Sequence, residues 1–520
     1  MSDPSVVPSK RMKVLLVSPP RLLWPYMNEQ DNFLLPQSLA SLAGVLRADG
    51  VDITVLDCMP EQVGWASLEK RIRALKPDVV GAGENHAIYA HEVTRLVDLT
   101  KRIDPKIVTV LGGAHFTNLP QMYLPKHPID FIVRGEGEIT FRELVRALAR
   151  DDWQAAQAEQ GLAFLRDGEV VQTDPRPLVE DLDSLPIPAY DLMPMDKYGQ
   201  AKLLFSPGGA TIHHSRGCSS SCSFCVWWTQ MGKRKRTETG EEVSPRWRTK
   251  SVGRVMAEIE ILYKQWGHRC LVFVDPTFNA DPRWNNEFAE AMIEKAWPIN
   301  WFAFMRADFI LRDEASGVFE KLVRSGLRHV CVGVERAEDG DLNNWDKTFY
   351  SHRQSVQVFD LLKSKYPQVF RQATFIVGVR HETPQTLKTQ LEFARRIDAD
   401  YPAFHPATPF PGTAFWEEAK RKNWLEIEDF EYFDLSTPVM RSETMTREEI
   451  DLAMIELAKE YVTLPWLIKG LTSRHSYRRN MYIWWTMVTA RVFADSVRQR
   501  LDPFKRDRYM SLVTPKWYNS

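Results

Sequence analysis

The chain has 520 residues, 44% of them hydrophobic, and its 67 basic side chains almost balance 68 acidic ones, leaving a formal net charge of −1. This composition is typical of a globular protein with two or three domains and excludes an overall positive charge that would attract nucleic acid. No stretch reaches the roughly eighteen uncharged apolar residues of a membrane span. Because residues 1–12 are polar and the six cysteines show no disulfide pattern, we expect no secretory signal and a cytoplasmic location.

Residues 1–150 alternate between apolar strand patterns and helical patterns. We predict a helix over residues 36–49 and strands over residues 12–18, 51–57, 78–83, 107–112 and 130–133. This alternation predicts an α/β domain with a doubly wound, Rossmann-like parallel sheet. Ligands of such sheets bind at the carboxyl ends of the strands, so we expect the loops after these strands, beginning at Ser18, to form a binding site.

Two glycine-rich turns follow strands of this domain. They are Gly112-Gly113-Ala114-His115 and Arg134-Gly135-Glu136-Gly137-Glu138. Glycine lets the backbone approach a bulky ligand closely, which favours a cofactor site at both turns. Tight strand-to-helix turns of an ordinary α/β domain explain the same residues, so both interpretations stay open here.

Residues 151–206 are rich in proline and acidic side chains, as in the run Leu182-Asp183-Ser184-Leu185-Pro186-Ile187-Pro188. Such composition predicts an extended linker with little core of its own. Within it, Arg166-Asp167-Gly168 predicts a hairpin turn.

Three cysteines follow in one short loop with the spacing C-x-x-x-C-x-x-C, namely Cys218, Cys222 and Cys225. Thiolates this close in sequence can converge on one inorganic centre, and soft sulfur ligands favour iron–sulfur clusters, zinc or copper(I). Three protein ligands rather than four leave one position open for chemistry. The alternative is a structural zinc site in which His213 or His214 supplies the fourth ligand.

Residues 207–420 alternate again between strands and helices. We predict strands over residues 270–274, 301–304, 329–334, 373–377 and 403–407. Each strand is followed by a polar or glycine-containing loop and then a helix, which predicts a β/α barrel whose catalytic mouth lies at these loops. The polar residues at the strand ends are Asp275, Asn279, Arg306 and Glu335.

Residues 421–520 lack the barrel pattern and predict a helical C-terminal region. Thr446 caps a helix, and tryptophan, tyrosine and basic residues then recur over residues 465–493. This composition is typical of a helix at a membrane surface. A helix that packs as a lid over the barrel and its substrate explains it equally well, and both interpretations stay open.

The order of these features resembles the cobalamin-binding radical S-adenosylmethionine (SAM) enzymes. A strand ending in Pro19-Pro20, the Gly-Gly-x-His turn and the Arg-Gly-Glu-Gly-Glu turn all precede the cysteine loop, and the resemblance covers residues 12–420. It implies an N-terminal cobalamin domain, a partial radical SAM barrel, and a [4Fe–4S] cluster held by the three cysteines. The amino and carboxylate groups of SAM then chelate the fourth iron, and Phe224 shields the cluster.

The resemblance also implies roles for individual side chains. For SAM these are Phe224, Asp275, Asn279, Arg306 and Glu335, and for cobalamin they are Ser18, Asn85, His86, Tyr89, Gly112, Gly113, His115, Gly135, Glu136 and Gly137. The D-x-H-x-x-G motif, which supplies a histidine to cobalt in other cobalamin domains, is absent here, so the lower cobalt ligand has no assignment. Asn85, His86 and Tyr89 are placed to face cobalt, whereas His115 is placed to contact the nucleotide loop.

Three hypotheses describe the function. The first is a cobalamin-dependent radical SAM enzyme that functionalises an unactivated carbon by methyl transfer from SAM through cobalamin. The second is an oxidative cyclase or hydroxylase acting on a tetrapyrrole or lipid-like substrate, because the Arg216-Gly217-Cys218 segment resembles the anaerobic magnesium-protoporphyrin monomethyl ester cyclases. The third is a non-enzymatic metal-binding module. Both enzyme hypotheses imply a small, hydrophobic substrate and an external electron donor such as flavodoxin or ferredoxin.

Overall fold

The structure, a computed structural model, describes residues 11–24, 26–238, 240–347, 351–501 and 512–520. Its first sheet contains β1 (Lys13–Ser18), β2 (Asp52–Asp57), β3 (Val79–Gly83), β4 (Val108–Gly112), β5 (Phe131–Val133), β6 (Leu162–Arg166) and β7 (Glu169–Gln172). The spatial order is β2-β1-β3-β4-β5-β6-β7, and all pairs from β2 to β5 are parallel. The predicted doubly wound parallel sheet is confirmed.

Helices cover both faces of this sheet because its strands are apolar on both sides. These helices are α1 (Gln37–Ala48), α2 (Cys58–Glu61), α3 (Trp65–Leu75), α4 (Ala90–Ile103), α5 (Gly113–Asn118), α6 (Pro120–Tyr123), α7 (Gly137–Ala149) and α8 (Trp153–Ala158). In β1, Val14 and Leu16 pack with α1 and α7, whereas Leu15 and Val17 pack with α3 and α4. Side chains that alternate between two cores explain why β1 reads as a continuous hydrophobic run.

The first part of the segment predicted as a linker is folded. Helix α8 and the hairpin β6–β7 extend the N-terminal sheet, with both strands antiparallel to their neighbours. The boundary predicted at residue 150 is therefore too early. The predicted hairpin turn is confirmed, since Asp167 and Gly168 both have positive φ between β6 and β7.

A second sheet carries the cysteine loop. The strands of the barrel region are β8 (Gly209–Ile212), β9 (Ser215–Arg216), β10 (Lys233–Thr237), β11 (Gly240–Ser244), β12 (Arg248–Thr249), β13 (Cys270–Phe273), β14 (Asn300–Met305), β15 (Leu327–Glu335), β16 (Phe370–Val377) and β17 (Tyr401–Pro406). Six of them form a parallel sheet in the order β17-β16-β15-β14-β13-β8. This confirms the partial barrel, although β8 was not predicted as a strand.

The helices of the barrel region follow its strands in the chain. They are α9 (Val226–Gln230), α10 (Val252–Lys264), α11 (Pro282–Lys295), α12 (Ala307–Ala315), α13 (Val318–Arg324), α14 (Asp339–Asn344), α15 (His352–Lys365), α16 (Pro384–Arg396) and α17 (Ala414–Arg421). The outward side chains of β14, Trp301, Ala303 and Met305, belong to the large core formed with these helices. Phe302, in contrast, packs with Val272 inside the barrel.

Helices α18 (Arg447–Tyr461), α19 (Leu464–Leu471) and α20 (Ser476–Leu501) form the C-terminal region. The hydroxyl of Tyr477 in α20 lies 3.2 Å from Nδ1 of His329, near the start of β15. Tyr482 and Arg478 both contact Asp400, which directly precedes β17. Since these contacts lie at the amino ends of the strands, α20 closes the floor of the barrel and is not a lid over its mouth.

The segment after β1 links the two edges of the barrel sheet. Gln37 donates to the carbonyl oxygen of Thr211 in β8 at 2.5 Å. On the other side, Trp484 of α20 donates through Nε1 to Asp31 at 2.9 Å, and Trp485 stacks on Tyr401 of β17. Among the described residues, no helix is long and apolar enough to cross a membrane.

We predict that Asp400→Asn destabilises the barrel by about 3 kcal/mol, because it leaves buried guanidinium groups without their counter-charge. Asp400 accepts hydrogen bonds from Arg371 and Arg478 at 2.7 and 2.5 Å. Burial would raise the pKa of this carboxyl, but the two arginines hold it well below its ordinary value. Urea denaturation of both proteins at pH 7 measures the effect.

Asp191→Asn is the matched control, because Asp191 pairs with Arg47 in an exposed position outside this cluster. We expect it to cost about 1 kcal/mol or less. Equal losses in the two variants would contradict a structural role for the buried cluster around Asp400.

Candidate active site

The cysteine loop begins at the carboxyl end of β8, after the short strand β9. Gly217 precedes Cys218 and has a positive φ of 81°. A Cβ at this position would lie 1.8 Å from the carbonyl oxygen of Arg246. Only glycine therefore allows the turn that brings the first cysteine into the loop.

The three cysteines are free thiols, and the structure forms no disulfide among the described residues. Cys218 Sγ lies 3.5 Å from the hydroxyl of Thr277. Burial raises the pKa of Cys222 to about 11 and that of Cys225 to about 12, while the backbone N–H groups of Trp227 and Trp228 oppose the rise at Cys225. Because iron binds thiolates, loading a cluster must displace these protons.

The zinc alternative in which His214 supplies the fourth ligand conflicts with the contacts of its ring, whereas the Nε2 of His213 is buried without a hydrogen-bond partner among the described residues. The His214 Nδ1 lies 3.1 Å from the Thr249 hydroxyl and its Nε2 lies 3.1 Å from the Phe278 carbonyl oxygen. Its ring also stacks on Trp284 with centroids 3.9 Å apart. Within the described ranges, no three His, Cys, Asp or Glu side chains converge on a single metal ion.

Two predicted SAM contacts support the cysteine loop instead of facing an open space. Asp275 accepts hydrogen bonds from the backbone N–H groups of His214 and Ser215, at 3.1 and 2.5 Å, and from the Ser215 hydroxyl. Asn279 pairs with the backbone of Arg306 through both its amide oxygen and its amide nitrogen. Both side chains are buried. They fix the carboxyl ends of β8 and β14.

Arg306 and Glu335 reach the rim of the site. Arg306 donates through Nη1 to the Ser220 hydroxyl inside the cysteine loop, at 2.7 Å. Glu335 has a positive φ of 63° and accepts a hydrogen bond from Lys347 at 2.9 Å. A Cβ at Gly333 would lie 2.4 Å from Oε1 of Glu335, so glycine makes room for this ion pair.

The inner wall of the barrel is apolar and open near the cysteines. Phe273 pairs with Ala303, so Val274 and Phe304 are neighbours on one face of the sheet. These two side chains are 39% and 40% exposed, although they lie on interior strands. Deeper in the barrel, Phe302 packs with Val272 and closes the space. The open part can accept an apolar ligand.

The carboxyl edge of the N-terminal sheet holds a buried cation between β1 and β3, where the strand order reverses. Arg21 forms an ion pair with Glu84 and lies 4.6 Å above the ring of Tyr89. Its Nε is buried and has no hydrogen-bond partner among the described residues. Ligands of doubly wound sheets bind at this reversal, and the unpartnered Nε offers a donor there.

Asn85 and His86 connect this edge to the cysteine loop. The amide oxygen of Asn85 accepts hydrogen bonds from the Ala114 N–H at 3.1 Å and from Gln230 at 2.8 Å. The His86 ring packs edge-on against Trp227, with centroids 6.2 Å apart. Since Trp227 and Gln230 belong to α9, directly after the last cysteine, the two candidate cofactor sites adjoin each other.

The two glycine turns differ. A Cβ at Gly113 would lie 2.4 Å from the Glu84 carbonyl oxygen, so this glycine permits a close backbone crossing. Gly135 has a positive φ and open space where a Cβ would be.

His115 is buried, with its Nε2 2.7 Å from the Tyr123 hydroxyl and its ring packed edge-on against Phe430. Burial lowers the pKa of His115 to about 3, so it is neutral.

Glu136 and Glu138 bind an arginine of the other domain. Arg216, two residues before Cys218, donates to Glu136 at 3.1 Å and to Glu138 at 2.5 Å. Arg248 in the neighbouring strand also pairs with Glu136 at 2.9 Å. Glu136 therefore joins the domains in this structure, and Gly137 begins helix α7 beside it. Sequence reasoning missed this contact, although Arg216 adjoins the cysteine motif.

The predicted residues therefore separate into two groups. His115, Glu136, Asp275 and Asn279 contact other groups of the protein, and Ser18, Gly112, Gly113 and Gly137 lie at the ends of β1, β4, α5 and α7. The cysteines, Arg306, Glu335, Asn85, His86, Tyr89 and Gly135 lie at or after the carboxyl ends of the strands. Phe224 packs beside the loop against Trp345, with ring centroids 5.3 Å apart. The free thiols can bind an iron–sulfur cluster. The Arg21 Nε has no hydrogen-bond partner among the described residues, and the space beside Gly135 is open. Both features suit a large ligand with amide groups at its edge.

Family models match both halves of this arrangement. Residues 25–145 match the B12 binding domain, and residues 212–394 match the Radical SAM superfamily. Together with the two parallel sheets, these matches define the class as a radical SAM enzyme with a cobalamin domain.

Two curated relatives cover most of the chain. It is 31% identical over 471 residues to an uncharacterized methyltransferase of Pyrococcus horikoshii, covering 90% of this chain and 96% of the relative. It is 32% identical over 425 residues to the anaerobic magnesium-protoporphyrin IX monomethyl ester cyclase of Rubrivivax gelatinosus, covering 80% and 71%. The chain belongs to the cobalamin-dependent radical SAM family, which confirms the resemblance and its cofactors: cobalamin, a [4Fe–4S] cluster and SAM.

A solved structure has the same fold. The radical SAM methyltransferase TsrM from Kitasatospora setae, with cobalamin and a [4Fe–4S] cluster bound, aligns with a TM-score of 0.68 at 16% identity. The alignment covers 93% of this chain and all of TsrM, 100%. It therefore extends over both sheets and most of the C-terminal region.

We predict that replacing Cys218, Cys222 or Cys225 with alanine abolishes cluster binding, because two thiolates cannot hold the cluster stably. Iron analysis and the visible absorbance of protein reconstituted without oxygen measure this loss. Cys331→Ala is the matched control, since Cys331 is a buried thiol of β15 outside the loop. Zinc in place of iron in the unaltered protein would refute the assignment.

We predict that Glu138→Gln destabilises the protein by about 3 kcal/mol at pH 7, because one pKa unit corresponds to about 1.4 kcal/mol. Burial would raise the pKa of Glu138, but Arg216 lowers it to about 2. A depressed folded-state pKa contributes stability above the unfolded value near 4.5 and loses it as the pH falls toward 2. Urea denaturation between pH 7 and pH 3 should show the difference shrinking below pH 4.5.

Glu180→Gln serves as the control, because Glu180 pairs with Arg246 in an exposed position. We expect it to change stability little at any pH. A difference between Glu138→Gln and the unaltered protein that stays constant down to pH 3 would contradict the assigned ion pair.

Proposed function

We propose that this enzyme transfers a methyl group from SAM through cobalamin to an unactivated carbon of a small, apolar substrate. One observation carries the proposal: Asn85 and His86 at the cobalamin edge contact Gln230 and Trp227 directly after the cysteine loop. A substrate between the two sheets can then meet both cofactors. The methyltransferase relative and TsrM support the same reaction class.

When bound, the cluster supplies the electron that cleaves SAM and cobalamin carries the methyl group. In this proposal Cys218, Cys222 and Cys225 would hold the cluster, and the Arg21 Nε would donate a hydrogen bond to cobalamin. Arg306 and Glu335 orient SAM at the rim of the barrel, where Lys347 fixes the carboxylate of Glu335.

The inner wall determines which substrates fit. Val274 and Phe304 offer apolar contacts and exclude water from the reacting carbon. The His405 Nδ1 donates to the Leu435 carbonyl oxygen at 3.0 Å, and the Leu435 side chain is itself exposed. Burial lowers the pKa of His405, which keeps its ring neutral. A largely apolar molecule with few charges suits this wall.

The second candidate function is an oxidative cyclase or hydroxylase. The similarity to the Rubrivivax gelatinosus cyclase favours it, as does an inner wall apolar enough for a tetrapyrrole or a lipid-like molecule. The two candidates differ in the fate of SAM. A methyltransferase consumes SAM as methyl donor as well as radical source, whereas a cyclase needs it only as radical source.

The cellular setting stays a prediction. We propose a cytoplasmic enzyme that receives electrons from flavodoxin or ferredoxin. Contact with a membrane surface also stays a prediction, supported by the exposed apolar row of Leu464, Ile468 and Leu471 along α19. The predicted domain boundaries at residues 206 and 420 also stay predictions.

We predict about four irons and about one cobalt per chain in protein isolated without oxygen from cells supplied with cobalamin. With SAM, dithionite and an accepted substrate, S-adenosylhomocysteine should form together with 5′-deoxyadenosine. Mass spectrometry with SAM carrying a trideuterated methyl group follows the label into the product, and magnesium-protoporphyrin IX monomethyl ester tests the cyclase alternative.

Formation of 5′-deoxyadenosine without S-adenosylhomocysteine and without label in the product would favour the cyclase. Iron without cobalt in protein from cobalamin-fed cells would contradict the methyl-transfer proposal. The Cys222→Ala variant controls for SAM decay that does not need the cluster.

A further inference from the structure

Residues 513–520, which form a C-terminal tail, fold back onto the N-terminal domain. The carbonyl oxygen of Tyr518 accepts a hydrogen bond from the Trp65 N–H at 2.9 Å, and the backbone oxygen of Ser520 accepts one from the Ser67 N–H at 2.8 Å. Helix α3 begins at Trp65, so both donors belong to its first turn, where N–H groups have no partner within the helix. The tail therefore caps α3.

Gly64, directly before α3, shows how closely the tail approaches. A Cβ at this position would lie 2.0 Å from the Trp517 carbonyl oxygen and 2.6 Å from the Ser520 nitrogen. The backbone of Gly64 has a φ of −85°, which any residue can adopt. Since the three nearest atoms that a Cβ would meet all belong to the tail, the tail is the reason that this position needs glycine.

Aromatic side chains of the tail add to this contact. Tyr518 packs edge-on against Trp65 with ring centroids 6.2 Å apart, and the guanidinium of Arg95 in α4 lies 4.2 Å above the Trp65 ring. Trp517 donates a hydrogen bond through Nε1 to Glu29, in the segment between β1 and α1. The tail is thus attached to α3 and to the segment that follows β1.

The same segment carries Arg21, and the tail pairs with it there. The Leu23 N–H donates to the Val513 carbonyl oxygen at 2.9 Å, and the Val513 N–H donates back to the Leu23 carbonyl oxygen at 2.8 Å. These two bonds form an antiparallel bridge two residues after Arg21. The Val513 side chain is 42% exposed, so the attachment at this point is made by the backbone.

The other hydrogen bonds to the backbone of residues 21–23 are weaker. The Arg21 N–H donates to the thioether sulfur of Met59 at 3.3 Å, and a thioether is a weak acceptor. The Tyr89 hydroxyl lies 3.5 Å from the Leu22 carbonyl oxygen, a long distance for an O–H donor. The bridge to Val513 is therefore the main polar restraint on this backbone in the described part of the chain.

We propose that the C-terminal tail positions Arg21 for cobalamin, through the backbone bridge between Val513 and Leu23. The inference rests on the proposed function, in which the Arg21 Nε would donate a hydrogen bond to cobalamin. Glu84 and the Tyr89 ring hold the guanidinium, whereas the bridge fixes the backbone from which the side chain extends. Without the tail, binding must order this backbone, and ordering a loop on binding weakens affinity.

The test compares Gly64→Ala with the unaltered protein, because this variant displaces the tail and changes neither the tail nor the Arg21 segment. We expect the dissociation constant of hydroxocobalamin, measured by equilibrium dialysis, to rise about tenfold. Iron content after reconstitution without oxygen should stay at about four per chain, because the cysteine loop keeps its ligands.

A second measurement separates positioning from a general loss of structure. Arg21→Lys keeps a positive charge for Glu84 but removes the Nε donor. If the tail acts through Arg21, adding Gly64→Ala to Arg21→Lys should weaken cobalamin binding no further, because coupled residues give non-additive effects. Additive losses in the double variant would contradict the positioning role.

Gly340→Ala is the matched control, since Gly340 lies in α14 and no atom lies within 4 Å of an added Cβ. Val513→Pro keeps the test decisive should Gly64→Ala fold poorly, because it removes the N–H of the bridge and leaves the cap of α3 in place. Unchanged cobalamin affinity in Val513→Pro, or equal weakening in Gly340→Ala, would overturn the proposal. Failure of the unaltered protein to bind cobalamin would instead refute the proposed function.

Discussion

The arrangement of both cofactor sites depends on one buried ion pair between domains. Arg216 reaches from the strand before the cysteine loop to Glu136 and Glu138 at the start of α7. Breaking a buried pair by removing one partner costs about 3–5 kcal/mol, so this contact strongly restricts where the loop can lie. Because α7 begins at the carboxyl edge of the N-terminal sheet, the pair fixes the cysteines relative to the cobalamin edge.

The same constraint explains how the remaining segments are used. With the two carboxyl edges facing each other, the space between them needs side walls and a floor. Residues 425–440 supply one wall, since Phe430 packs on His115 and Asp429 contacts His91. Helix α20 supplies the floor through Tyr477 and Tyr482. The apolar Phe304 remains exposed although it lies on an interior strand.

Apolar periodicity was enough to predict most strands, because fully buried parallel strands are continuous hydrophobic runs. It missed β8, which begins with glycine and has only four residues. It predicted the hairpin turn at residues 166–168 but not the flanking strands β6 and β7, because they lie within a longer segment that was interpreted as a linker. The cysteine loop was recognisable because all its ligands lie within eight residues of sequence. Glu136 was predicted as a cofactor contact because it lies in a glycine-rich turn. Its pairing with Arg216 could not be predicted, because the two residues lie 80 positions apart and no local pattern joins them.

The C-terminal region shows how composition can have two physical causes. Tryptophan, tyrosine and arginine together are typical of a membrane surface, yet Arg478 and Tyr482 are buried around Asp400 and Trp485 stacks on Tyr401. A half-open barrel needs large, rigid side chains to close its floor, and these must satisfy the buried carboxylate that precedes β17. Packing therefore explains the buried aromatic and basic residues of α20, whereas it does not explain the exposed apolar side chains Leu464, Ile468 and Leu471 of α19.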